Sequence, residues 1–267
     1  MEGLIAYIDG IGWWSPGVPG WEQATRLLRG EDSNSSDSDA AAKPAANVLP
    51  STERRRAPES VRLACEVAEQ ACAMAGREPS TLACVFASAH GDTATTDALC
   101  ATLASAPLET SPTRFHNSVH NAPAGYWTIA AQCRAPSAAI AAGAGSFAAG
   151  LFEAAVEAHA DAAPVLFAAY DIAAYGALSD VVGNSAPFAT ALVVSASRGP
   201  RTCASLHLRH ETRASTPTAA PVRLATLAAT NLIAAALPLF AALANAEQTT
   251  IRLRSGTQTM LAIEVRP

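Results

Sequence analysis

Between Ser111 and Glu153 the chain reads SPTRFHNSVHNAPAGYWTIAAQCRAPSAAIAAGAGSFAAGLFE. This order of polar loop, helix, strand, glycine-bracketed bend and helix constrains the fold more than any other stretch. The spacing predicts a helix over 124–132, a strand over 137–142 and a helix over 146–159. The bend between strand and last helix is Ala142, Gly143, Ala144, Gly145, Ser146, Phe147. A sharp strand-to-helix bend is where an α/β protein can hold up a nucleophile. This one carries no thiol and no paired base.

The remaining pattern extends the same alternation. Strands are expected over 4–12, 82–87, 165–169, 188–195 and 205–210, with a closing hairpin of 250–254 and 260–265 around Ser255-Gly256. Helices are expected over 22–28, over 59–76 with Gly76 as the stop, and over 93–104. Strands alternating with helices indicate α/β layers. Residues 31–50, rich in Ser, Asp, Asn and Ala, predict a mobile surface loop. The 267 residues, half of them hydrophobic and 15% charged, read as one domain, with apolar surface to spare for a buried subunit interface.

Charge narrows the function. A net charge of −5 and a single lysine, Lys43, argue against nucleic acid. The basic run Arg54, Arg55, Arg56 admits contact with an acidic carrier protein, although a solvated loop face is the stronger reading. Cys65, Cys72, Cys84, Cys100, Cys133 and Cys203 are widely spaced, form no CxxC pair, and read as buried reduced thiols rather than zinc ligands or disulfides. The opening MEGLIAYIDGIGWW has no secretory pattern, so a cytoplasmic location is expected. Residues 224–244 are uncharged over a length that meets the criterion for a membrane span. Their alanine content, Asn231 and Pro238 favour a buried helix.

Three further motifs offer chemistry. Ser88, His90 and Asp92 are the residue types of a triad but lie on one loop, where neighbours rarely face one another. His116 and His120 stand four apart; Pro123 places the helix start near Asn121, so both histidines precede it and are expected to line a cavity or form hydrogen bonds rather than hold a metal. Gly143-Ala-Gly145-Ser-Phe-Ala148 matches the dinucleotide fingerprint, with Asp171 slightly beyond the usual distance of about 20 residues. Ser146 does not sit in G-x-S-x-G.

Several segments together resemble one family. YIDGIGWWSPG followed by WEQATRLLRGEDS is similar to the first strand, SP-containing loop and short glycine-ended helix of β-ketoacyl synthases of the thiolase-like fold. SPTRFHNSVHNAPAG resembles their approach to the active site, and APSAAIAAGAGSFAAG their strand, nucleophile turn and helix. The tail LRSGTQTMLAIEV resembles their last glycine-containing turn and strand. In the register set by Pro136-Ser137 and Ser146, the position of the synthase cysteine falls on Ala144, where no side chain can attack a thioester. Working synthases also use two histidines and a lysine from their second half, yet no histidine follows His210 and no lysine follows Lys43.

The resemblance therefore implies a truncated thiolase-like α/β fold of the N-terminal-half type, a layered mixed sheet with helices. It implies a non-catalytic chain length factor that requires no cofactor or metal, pairs with an active synthase, and meets the acyl carrier protein indirectly. FHNSVHNAPAGYW is similar to the chain length factors of aryl polyene pathways. By the same resemblance Ser137, Ala138, Ala139, Ile140, Ala141 and Ala142 form the strand that pairs across the dimer axis. Arg114, Phe115, His116, Asn117, Val119 and His120 then face the partner's acyl tunnel or pack the interface. A stand-alone dinucleotide enzyme and a purely structural partner subunit are the alternatives.

Overall fold

The computed structural model describes residues 3–31, 43–212 and 216–267. In chain order the elements are β1 (Leu4–Trp14), α1 (Trp21–Arg29), α2 (Ser51–Arg56), α3 (Glu59–Ala75), β2 (Ala83–Ala87), α4 (Thr93–Ser105), α5 (Pro112–Asn117), α6 (Ala122–Ala130) and β3 (Ser137–Ile140). They continue with α7 (Ser146–Ala160), β4 (Val165–Asp171), α8 (Ser179–Val182), β5 (Phe188–Ser195), β6 (Ala204–Glu211), α9 (Ala225–Thr230), α10 (Leu237–Ala244), β7 (Thr249–Arg254) and β8 (Met260–Arg266). The strands form one eight-stranded sheet in the order β3-β2-β4-β5-β1-β6-β8-β7. The β3-β2-β4 end is parallel and every other pairing is antiparallel.

Two apolar layers hold the sheet. On one face Leu63 and Val67 of α3 pack with Phe86, Leu166 and Val193, joined by Trp127 of α6. On the other, Phe147 and Leu151 of α7 and Phe240 of α10 pack with Val85, Phe167 and Leu192. Strands buried on both faces read as unbroken apolar runs, which is why 165–171 and 188–195 carry no polar alternation. The approach of α3 to β1 requires glycine: a Cβ on Gly12 would overlap Val67 O, and one on Gly10 would lie 2.8 Å from Ala75 N.

Several expectations need correction. The basic run 54–56 is helical rather than loop: it ends α2, and Arg54 donates to Asn47 Oδ1 at 2.7 Å. Of the expected mobile loop 31–50, residues 32–42 lie outside the described residues, and the end nearest α2 is docked. Ala46 and Leu49 are buried, and the Ala46 and Val48 N–H groups donate to Glu66 Oε2 (2.6 Å) and Glu69 Oε2 (3.1 Å).

Residues 224–244 form no single helix. Asn231 leaves helical geometry with φ −152° and ψ 128°, because its amide donates to Asp171 O and Ala186 O while Oδ1 accepts the Ile233 N–H. A side chain that binds backbone so well competes with the helix ladder. Pro238 sits in the first turn of α10, where its missing N–H costs nothing. Among the described residues no helix is long and apolar enough to cross a membrane. Four of the six cysteines are buried as expected, whereas Cys100 and Cys203 are exposed.

Candidate functional site

Because β2, β3 and β4 run parallel, the loops 88–92, 141–146 and 172–178 leave the same end of the sheet, where α/β proteins build their sites. The bend after β3 is a 3₁₀ turn, Gly143–Gly145, that feeds directly into α7. Ser146 is buried and spent on structure. Its Oγ accepts the Ala142 N–H at 2.9 Å and has Gly143 O (2.8 Å) and Ser88 O (3.2 Å) as acceptors for its single proton. Holding Ala142 in this way ends the ladder, so the strand expected over 137–142 pairs only as far as Ile140. Ala144 is exposed at the tip of the turn with only a methyl group.

The glycine pattern of this bend has an internal explanation. A Cβ on Gly145 would lie 3.0 Å from Ser255 C, in the turn between β7 and β8, and one on Gly150 would lie 2.9 Å from Ala87 Cβ. Chain packing thus accounts for Gly145 and Gly150, while Gly143 takes a φ of +52° that favours glycine.

Ser88, His90 and Asp92 do not converge. Ser88 Oγ donates to Asp171 Oδ1 at 2.6 Å and accepts the Gly91 N–H at 2.8 Å. Asp92 instead caps α4, accepting the Thr95 N–H at 2.7 Å and the Ser60 hydroxyl at 2.6 Å. Asp171 is 1% exposed, and its Oδ2 has no hydrogen-bond partner among the described residues. Burial pushes its carboxyl above the usual range, against the lowering effect of the Ser88 hydrogen bond and of nearby His90.

The six residues expected to face a partner divide over four places. His116 and Val119 line a groove of about 650 Å³ beside α6, together with Leu49 and Ile129. Arg114 and Asn117 line a smaller cavity of about 310 Å³ with Arg56 and Asp92. His120 reaches the end of β3, with Nε2 3.0 Å from Ile140 O. Phe115 is 65% exposed. As expected, α6 begins at Ala122 with Pro123 in its first turn, and both histidines precede it. His116 lies in the short helix α5, capped by Ser111, where a loop was expected.

Groove residues Gly125, Tyr126 and Ile129 were not singled out from the sequence. The available signal was a glycine inside a helical pattern.

The two sheet edges differ. Along β7, Thr218 donates its N–H to Arg252 O and accepts the Arg252 N–H on Oγ1, both at 2.9 Å. Along β3, Cys84 N–H and Ser88 N–H bond inward to Pro136 O and Ile140 O, so the even-numbered residues face β2. Ser137 and Ala139 therefore turn their backbone groups outward, and both are exposed. From Ala135 to Phe152 this region carries no charged residue.

No curated protein matches the chain. Among solved structures it is similar to the complex of a ketosynthase (ApeO) with its chain length factor (ApeC) from Xenorhabdus doucetiae, at 23% identity and TM-score 0.72, over 98% of this chain and 99% of that one. It is also similar to the AntDE:AntF complex, a type II polyketide acyl-carrier protein with its ketosynthase bound to the hexaketide, at 11% identity and TM-score 0.74, over 100% and 99% of the chains. The ishigamide ketosynthase/chain length factor follows at 14% identity and TM-score 0.69, over 98% and 99%. At such identities the likeness shows the fold. Residues 29–255 match the model of the family described as β-ketoacyl synthase, N-terminal domain. With most of its length covered by that match, this chain belongs to the β-ketoacyl synthase N-terminal domain family.

Proposed function

We propose that this chain is a single-domain chain length factor: a non-catalytic subunit that pairs in the cytoplasm with an active β-ketoacyl-carrier protein synthase and shapes the path of its growing acyl chain. The observation that carries the reading is Ala144, a methyl group at the exposed tip of the turn, where the family resemblance puts the attacking thiol. The β3 edge, where Ser137 and Ala139 turn their backbone groups outward with no cover among the described residues, supports pairing with a second synthase-like chain through Ser137–Ile140. Elongation chemistry and direct engagement of the carrier protein then belong to the partner. Aryl polyenes are the substrate class, in line with FHNSVHNAPAGYW and with the ApeO/ApeC likeness.

Phe115, His116 and Val119 are the side chains assigned to the acyl path, with Arg114, Asn117 and His120 bracing the loop that presents them. Val119→Phe is expected to shorten the product and Phe115→Ala to lengthen it, read by mass spectrometry of carrier-bound acyl chains made by the assembled complex. Unchanged products from an intact complex would leave only a structural role for this loop. Ala144→Gly should leave the elongation rate unaltered; a large loss would refute the non-catalytic assignment.

A further inference from the structure

The single sheet ends in β3 on one side and β7 on the other, and the two ends are finished differently. At β3 the outward backbone groups of Ser137 and Ala139 have no cover among the described residues. A chain that adds strands at both ends of one sheet does not stop at a pair but grows into larger assemblies. Stopping at a pair requires that one end be closed.

At β7 the closing residue is Thr218. Arg252 turns its N–H and C=O away from β8, and Thr218 satisfies both: its N–H donates to Arg252 O, and its Oγ1 accepts the Arg252 N–H, each at 2.9 Å. A hydroxyl thus stands in for the carbonyl that a ninth strand would supply. The flanking residues keep such a strand from forming. Pro217 and Pro221 have no N–H and Thr218 bonds inward, so within residues 217–221 only Ala219 and Ala220 have an N–H left for a further ladder.

The segment is anchored on its C-terminal side. Ala220 packs against the core that contains Phe240, Leu224 is buried, and Arg223 Nη1 donates to Leu27 O at 3.0 Å. Charge adds to the closure. Thr250 and Arg254, two residues to either side of Arg252, share its outward backbone orientation, and Arg254 is exposed. The Arg252 side chain is itself held to Glu211 Oε2 at 3.0 Å.

We propose that residues 217–221 are an edge guard, which closes β7 against strand addition by a second copy of this chain and so confines assembly to β3. A second copy is the partner excluded because two β7 strands can pair antiparallel about a twofold axis, each presenting Thr250, Arg252 and Arg254 to the other. The limit to one partner rests on the heterodimer reading above; the closure of β7 does not.

The test uses the whole chain carrying Ala139→Pro, which shuts the β3 edge, and Arg254→Thr, which lowers the repulsion between two β7 strands. Sedimentation of this chain alone should give a single copy. Adding Thr218→Pro, which removes both bonds to Arg252, should give a concentration-dependent species of twice the mass. Adding Thr250→Pro as well, which removes an outward N–H from β7, should restore the single copy. A Thr218→Pro chain that stays single overturns the proposal, and so does doubling before Thr218 is changed, since charge would then be the only closure. Where Thr218→Pro lowers the melting temperature too far, Thr218→Val carries the test: it removes only the hydroxyl, and hydrogen exchange at the Arg252 amide should speed about fivefold or more. Unchanged exchange there overturns the guard. With β3 left intact and the synthase present, Thr218→Pro should convert a one-to-one complex into a two-to-two complex. A wild-type chain that never binds the synthase removes the heterodimer reading and leaves the measurements on the chain alone to decide the guard.

Discussion

Gly12→Ala tests how tightly α3 is held on β1. A Cβ at this position would overlap Val67 O and stand 2.8 Å from Val67 C and 3.1 Å from Val67 Cα, all helix backbone that cannot rotate away. Restoring ordinary carbon contacts near 3.5–4.0 Å moves α3 outward by about 1 Å. Two bonds depend on the present spacing: Trp13 N–H to Gln70 Oε1 at 3.0 Å and Ile11 N–H to Met74 Sδ at 3.2 Å.

Overpacking costs about 1–3 kcal/mol and stranding the Trp13 N–H about 1–3 kcal/mol. The lower entropy of the unfolded alanine chain returns about 0.4–1 kcal/mol. The net expectation is a loss of about 1–6 kcal/mol. Urea unfolding followed by tryptophan fluorescence measures it directly, with Trp13 and Trp14 beside the change. A stability within about 0.5 kcal/mol of wild type would refute the close-approach account.

Three further outcomes are expected. Asp171 has its carboxyl raised by burial, so its stabilising contribution is full below the unfolded-state value near 4 and is lost as pH rises through the folded-state value. Asp171→Asn should remove that fall from a stability-versus-pH profile, and an unaltered slope would contradict it. Burial pushes the Cys72 and Cys84 thiols up to about 12. Iodoacetamide at pH 8 should therefore modify exposed Cys100 well before these two, as peptide mass spectrometry would show. Ala139→Pro removes an outward N–H while sparing the ladder to β2, so it should abolish heterodimer formation and leave the circular dichroism spectrum unaltered.

Much of the fold was legible because its central strands are buried on both faces and so appear as apolar runs, as in 165–170 and 191–194. Gly76 marked its helix end because it adopts the left-handed conformation that glycine accepts, as Gly30 does after α1. The failures have tertiary causes. Asn231 breaks an apolar stretch because Asp171 O and Ala186 O lie within its reach, which no periodicity reveals.

The bend around Ala144 was readable as contiguous sequence. The groove was not, since Leu49, His116 and Ile129 come from separate elements. Likewise, the partner of Ser88 is Asp171, 83 residues away, and not its neighbour Asp92.

The central claim is that the chain works only as half of a pair. Its most direct test is co-purification with the synthase it pairs with, native mass determination, and a malonyl-carrier elongation assay on each chain alone and on both. The account predicts a one-to-one complex, with elongation by the pair and none by this chain alone. A chain that elongates unaided, or that never associates with the synthase, would contradict it.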